Sequence, residues 1–354
     1  MIKTRKLGVT WAVAATWVLA GTSLPAQQTQ RYEVAGTNVA VYNLVGEVSI
    51  EPGRGSAVLV EVTLRGPDAD ELRVEQGPIG RRETLRIVYP ADRIHYPERH
   101  WGSTTLRVRE DGTFGHDERG RRSGRRVRIS GRDNGLEAAA DLRILVPSGQ
   151  RFDLYLAVGE VSVSNVDGNL QLDTHSAPVT ASGTRGSLIV DVGSGWVDVS
   201  DAEGDVDIDT GSGTVEVTNV RGDELRIDTG SGEATASRVD VSSLFIDTGS
   251  GSIDVSMAAA DAVRLDTGSG SVTLELTSDA RDIEIDTGSG SVTVFVPESF
   301  GARVEIETGS GGIDLDMPLQ VSRWGRSFVS GTIGDGGGRL LIDTGSGGVR
   351  IRRR

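Results

Sequence analysis

The residues able to do chemistry recur in one short string. Asp-Thr-Gly-Ser-Gly begins at Asp209, Asp228, Asp247, Asp266, Asp286 and Asp343, with an Asp-Val-Gly-Ser-Gly variant at Asp191 and a Glu-Thr-Gly-Ser-Gly variant at Glu307. A carboxylate followed by a hydroxyl and two glycines suits three kinds of chemistry. Two such loops facing each other can share one proton and activate water for peptide hydrolysis. Carboxylates, hydroxyls and backbone carbonyls together can supply some of the roughly six to eight oxygens of a Ca²⁺ ion. Alternatively, the Asp accepts hydrogen bonds from backbone N–H groups two or three residues on, the glycines take conformations closed to other residues, and the string is a turn.

Spacing separates these readings. From Asp191 to Glu307 the steps are 18, 19, 19, 19, 20 and 21 residues, a regularity that marks one supersecondary unit repeated by stacking. Shared-proton catalysis needs two loops from two lobes, whereas eight near-copies would stand in one ladder, so the string does not mark an enzyme. Calcium-binding β-rolls use a Gly-Gly-x-Gly-x-Asp nonapeptide that is absent here, and only one of the two turns per coil carries the motif. Ca²⁺ stays a lesser alternative, no other cofactor is indicated, and the turn reading is preferred.

Positioning eight such turns requires a strand on each side. Apolar residues sit one and three places before each Asp, as in Leu225 and Ile227, and six and eight places after it, as in Val215 and Val217. Alternation of this kind means strand, tight turn, strand, with one side chain in two pointing inward. The predicted class is all-β, a parallel β-solenoid (β-helix or β-roll-like) of coils about 19 residues long, each with two strands. A second turn, Asn165-Val166-Asp167-Gly168 or Asn219-Val220-Arg221-Gly222, closes each coil. Weaker coils extend the array back to Phe152, with Asp173-Thr174-His175-Ser176-Ala177 as a degenerate turn. About ten coils at ~4.8 Å would make a rod on the order of 50 Å long, and its ends need caps.

The remaining segments follow from this frame. Residues 1–26 read as a secretory signal, with basic Lys3, Arg5 and Lys6, an apolar run from Leu7 to Ala20, and Leu24-Pro25-Ala26 as a cleavage site. Residues 27–150 form an N-terminal β section, in which Tyr42 to Ile50 repeats the pattern of Tyr155 to Val163. Within it, 90–135 lacks alternation and is expected to be an exposed loop or long hairpin. Residues 151–354 are the solenoid, with a cap at about 317–338 where Trp324 and Phe328 would lid the core before Val349 and Ile351 complete a last coil.

Composition sets the limits. With 48 Gly and 5% aromatic residues, the core must be thin and filled by small β-branched side chains. There is no Cys, hence no disulfide, thiol nucleophile or Cys-based metal site. The net charge of −14 disfavours nucleic acid as a partner. Against that charge, Arg119, Arg121, Arg122, Arg125, Arg126, Arg128 and Arg132 concentrate in the insertion, a candidate site for envelope glycans or other anionic polymers. His95, His100 and His116 lie nearby, but no carboxylate pattern completes a metal set with them. No Ser-His-Asp, phosphate-loop or dinucleotide signature is present, and no membrane span follows the signal.

The signal, the apolar-x-apolar-x-Thr-Gly-Ser-Gly-x-Val-x-Val coil and the passage Gly336 to Gly347 resemble bacterial exported adhesin-like domains of unassigned function, of the DUF4097 type and the head-domain type rich in Gly-Ile-Asn turns. The resemblance covers most of the mature chain, implies a β-solenoid at the cell envelope, and brings no catalytic residues. The expected function is a non-enzymatic adhesin-like or envelope scaffold protein, periplasmic, surface-exposed or extracellular. The alternative is a carbohydrate-active or polysaccharide-binding β-helix.

Overall fold

The structure is a computed structural model, and it describes residues 29–98, 102–115, 124–132 and 134–354. The predicted signal lies outside the described residues, as do Arg119, Arg121, Arg122, His100 and His116. Among the described residues no helix is long and apolar enough to cross a membrane.

Strands make up almost all of the regular structure, apart from one 3-10 turn at Ala69–Glu71. The N-terminal section holds β1 (Thr29–Ala35), β2 (Asn38–Pro52), β3 (Ala57–Arg65), β4 (Arg73–Ile79) and β5 (Arg82–Val88). The arginine-rich segment adds β6 (Arg93–His95), β7 (Ser103–Val108) and β8 (Arg125–Ser130), and β9 (Ala139–Val146) leads out of it. Winding continues through β10 (Gln150–Ser164), β11 (Gly168–Ser176), β12 (Val179–Ser182), β13 (Leu188–Val192), β14 (Val197–Glu203) and β15 (Val206–Thr210). Next come β16 (Val215–Thr229), β17 (Ala234–Thr248) and β18 (Ile253–Thr267), each the second strand of one coil and the first of the next. After β19 (Val272–Leu276), β20 (Asp282–Thr287) and β21 (Val292–Val296), the chain ends with β22 (Ala302–Thr308), β23 (Ile313–Leu315), β24 (Gln320–Trp324), β25 (Phe328–Ile333), β26 (Gly338–Thr344) and β27 (Val349–Arg353).

The fold is the parallel β-solenoid expected from the repeat. Successive coils pair in register, so that Asp228 lies opposite Asp209 and Asp247, and Val215 opposite Val197 and Ala234, with one shift between Val255 and Ala258 where β18 meets β19. Inward residues of both strands, nearly all Val, Ile, Leu and Ala, meet in one core. The second turn is a column of left-handed residues, Asn165, Asp201, Asn219, Arg238 and Met257, with φ between 52° and 57°. Strand β10 continues this stack downward onto β2, with Tyr155 opposite Tyr42 and Gly159 opposite Gly46.

Glycine enforces the coil spacing. A Cβ on the second glycine of each turn would fall inside the backbone of the coil before it, 1.9 Å from the Gly251 carbonyl oxygen at Gly270 and 1.8 Å from the Gly270 oxygen at Gly290. No side chain fits at these positions, because the Cβ would point along the stack into the neighbouring coil's carbonyl rather than outward from the sheet.

Both ends leave the parallel pattern. On the N-terminal side β2 pairs with β5 and β9, which pair antiparallel with β4 and with β3 respectively, and β3 pairs antiparallel with β1. On the C-terminal side the last strands in sequence are not the outermost ones, in contrast to the sequence expectation. β26 and β27 slot between the β20–β21 coil and the β22–β23 coil. The β24–β25 hairpin then pairs antiparallel with β22. Trp324 does not lid the core: it is 63% exposed on the edge strand β24, and Phe300 is the buried aromatic at this end. Backbone pairing by β25 caps the face instead.

In the segment 90–135, expected as an exposed loop or long hairpin without alternation, β7 and β8 do pair as an antiparallel hairpin, but the segment is more ordered and more buried than that expectation. β6, β8 and β7 form a separate three-stranded sheet, with Ile94, Val108, Val127 and Ile129 buried. Phe114 enters the core edge-on to Tyr42, their centroids 5.9 Å apart. The alternation was hidden because Arg occupies every outward place of Arg126-Val127-Arg128-Ile129.

The glycine column makes a direct prediction. Gly270→Ala should lower stability by about 2–3 kcal/mol through overpacking, whereas Gly312→Ala, where a Cβ meets nothing within 4 Å, should be close to neutral. Thermal melts of the two variants beside the parent protein check this.

Candidate functional site

The repeated string resolves into separate columns with separate jobs. The Thr of the turn is buried, and in four coils its hydroxyl bonds to the second glycine of the adjacent coil: Thr248 donates to Gly232 O at 3.2 Å, Thr267 to Gly251 O at 2.9 Å, Thr287 to Gly270 O at 2.9 Å and Thr344 to Gly290 O at 3.0 Å, whereas Thr174 and Thr308 donate to Ala177 O and Gly311 O of their own turns. The sequence reading assigned the bonding role in the turn to the aspartate, and the threonine takes it in these coils. In two earlier coils the Thr210 and Thr229 hydroxyls are buried with no hydrogen-bond partner.

The carboxylates form one outward column. Starting from the stacked rings of Tyr42 and Tyr155, 4.4 Å apart, it runs through Asp173, Asp191, Asp209, Asp228, Asp247, Asp266, Asp286 and Asp343 to Glu307. Neighbours are one strand spacing apart, ~4.8 Å. Partial burial is the largest cause raising the Asp209, Asp247 and Asp286 carboxyls above the ordinary aspartate value, followed by the charges of adjacent coils. Arginines in the next column give local relief, with Arg226 3.2 Å from Asp228 and stacked 4.2 Å over Phe245. Among the described residues no three His, Cys, Asp or Glu side chains converge to hold a metal ion. The carboxylates stand in a line rather than around a point.

At the foot of this column lies a buried charge that sequence reading missed. Asp153 is fully buried, and both of its oxygens lack a hydrogen-bond partner. Burial pushes its carboxyl up, opposed by Arg82, whose Nε is 3.1 Å away, and by Arg151. Arg82 also donates to the Tyr155 hydroxyl at 2.6 Å. Asp153 occupies an outward register position that is solvated further up the rod, so spacing alone did not single it out. Arg82, reaching over from β5, lies against it here.

Two surface features have the makings of binding sites. The first is the outer face of β6–β8–β7, where Arg93 lies opposite Arg128 and Arg107 opposite Arg126, all four exposed. Of the arginines singled out by sequence, Arg126, Arg128 and Arg132 are exposed in or beside this face. Arg125 instead turns inward to Asp92 and the Tyr89 carbonyl. Arg93 and Arg107 were missed because only strand pairing brings them alongside. The second feature is a groove of about 400 Å³ across β1, β3, β9, β2 and β10, lined by Glu47, Ser49, Glu61, Arg143, Glu160 and Ser162 among others.

With the coil geometry in place, comparison with known proteins is decisive at the level of family. The profile described as Toastrack DUF4097 matches residues 127–352. The chain belongs to that family. This Toastrack chain matches no curated protein. Solved structures similar to it include a "putative adhesin" from Bacteroides fragilis (13% identity, TM-score 0.33, covering 92% of this chain and 98% of the other). Others are a "putative adhesin" from Parabacteroides merdae (10%, 0.30, 92% and 95%) and a "putative cell adhesion protein" from Clostridium sporogenes (11%, 0.22, 92% and 99%).

The columns generate two predictions for this Toastrack solenoid. A raised carboxyl contributes stability that is fully present below the unfolded value near ~3.9 and is lost as pH rises through the folded value. Asp247→Asn should therefore stabilise the protein at pH 7, by about 0.5 kcal/mol as for other like-charge cross-strand pairs, and the gain should vanish towards pH 3. Melting temperatures across that range test the sign. Thr267→Val should cost about 1 kcal/mol for the lost hydrogen bond, while Thr229→Val should be neutral or stabilising. Paired denaturant titrations would show the contrast.

Proposed function

We propose that this protein is an exported, non-enzymatic, adhesin-like binding protein of the cell envelope, and that its arginine face takes anionic glycans or other anionic polymers. The observation that carries the reading is the juxtaposition of Arg93, Arg107, Arg126 and Arg128 on adjacent strands of a protein with net charge −14. Like charges placed directly opposite each other weaken a sheet, and an anionic partner would relieve that cost. The sheet is anchored through Val127, Ile129 and Phe114, so the guanidinium groups are presented from a packed support. The names of the similar solved structures, two adhesins and a cell adhesion protein, each qualified as putative, agree with a binding role. The predicted signal at residues 1–26 supports export.

A deletion through this segment would remove β8 with its buried Val127 and Ile129, so charge reversal is the cleaner variant. Arg107→Glu/Arg126→Glu should bind heparin-like polymers and anionic envelope glycans roughly tenfold more weakly, with a shallower salt dependence. Its melting temperature should stay near that of the parent. Undiminished binding by the variant, or no binding by the parent protein, would sink the reading.

A further inference from the structure

The groove over β9, β2 and β10 differs in character from the arginine face. Its wall strands are rigid: β2 is paired on both sides, by β10 and β9, and Val48 and Leu142 in the floor are buried. Four hydroxyl residues, Thr29, Ser49, Thr63 and Ser162, line it.

Its charges divide into two sets. Glu61 is held by Arg31 at 2.8 Å and Arg143 at 3.2 Å, and Arg143 also bonds Glu51 at 2.7 Å. Asp141 is held by Arg65 and accepts the Glu47 backbone N–H at 3.0 Å. Glu47 and Glu160 are different. They lie directly opposite each other in the parallel register, both are exposed, and among the described residues neither carboxylate is in an ion pair. Two like charges at one strand spacing oppose the pairing they sit on, although other arginines stand nearby. A ligand that brings a cation between them would remove that repulsion, while hydroxyl groups alone would not.

We infer that this groove is a binding site for a glycan bearing free amino groups, with the amine seated between Glu47 and Glu160 and the sugar hydroxyls meeting Ser49, Ser162, Thr29 and Thr63. The volume of about 400 Å³ suits a short oligosaccharide segment. Beyond the groove, the outward row continues from Ser49 and Ser162 to Thr180, so a longer chain would meet a further hydroxyl on leaving it. The inference is independent of the arginine face, since the residues, the charge sign and the ligand all differ.

Calorimetric titration of the full chain with a glucosamine tetramer and with its fully N-acetylated counterpart is the test. The free-amine tetramer should bind at least tenfold tighter than the acetylated one, and more weakly as salt rises. Glu47→Gln/Glu160→Gln should lose about tenfold, whereas Glu233→Gln, an exposed acid remote from the groove, should bind as the parent does. Arg107→Glu/Arg126→Glu should also leave tetramer binding intact, which separates this site from the arginine face. Absence of binding, equal affinity for both tetramers, or full affinity in the double Gln variant would each overturn the inference.

Discussion

The solenoid depends on how closely one coil lies on the next at the second glycine of the turn. The would-be Cβ of Gly213, Gly232, Gly251, Gly270 and Gly290 falls 1.8–2.0 Å from a carbonyl oxygen one coil below. Because no larger residue fits, the turn cannot slide along the rod, and the register of both flanking strands is pinned at each step. Ala177 interrupts this column, and there the contact relaxes to 3.2 Å between the would-be Cβ of Gly195 and the Ala177 oxygen, while below it the close approach resumes, 1.8 Å from the would-be Cβ of Gly159 to the Gly46 oxygen. The threonine above completes the constraint, since its hydroxyl bonds the same carbonyl that the glycine leaves accessible, as Thr267 does with Gly251.

Strict register has an electrostatic consequence. At the turn the outward position becomes a column of like residues, so a sequence repeated for the sake of its glycines also repeats its aspartates. The carboxylates are then held at one strand spacing and partly desolvated, which raises Asp209, Asp247 and Asp286. The cost is bounded because the column stays half open to water and because Arg226 and Arg264 stand one column away. The aspartates are a tolerated by-product of the turn more than its purpose, and the glycine and threonine carry the structural work.

Much of this was legible in the sequence because repetition multiplies a weak signal. A single Asp-Thr-Gly-Ser-Gly says little, but eight copies with Val, Ile and Leu at fixed offsets define strand, turn and inward face. The left-handed corners at Asn165 and Asn219 were legible by residue type, whereas Arg238 and Met257 at the same corner were not, since register rather than propensity puts them there. The order of the last coils could not be read at all: β26 resembles any other coil, and nothing local to it says that it pairs with both β20 and β22. The small sheet was hidden for a different reason. Its apolar residues alternate with arginines over only a few positions, and the partner surface, Tyr42 and Tyr155, lies far away in the chain.

The same reasoning says where recognition can reside. In the regular coils the turn carboxylates see copies of themselves above and below, while the column two places before them alternates Asp207, Arg226, Phe245, Arg264 and Glu284 and offsets part of their charge. Strands that change direction bring together groups far apart in the chain. This happens where β9 runs antiparallel to β3, and where the β7–β8 connection sets Phe114 against Tyr42 of β2. Both candidate sites lie there, and each straddles the start of the family match at residue 127: Arg93, Arg107, Arg126, Glu47 and Glu61 precede it, whereas Arg128, Arg143 and Glu160 fall within it. The repeated coils hold the fold in register, and the groups that the two proposed sites combine come from the junction between those coils and the irregular N-terminal strands.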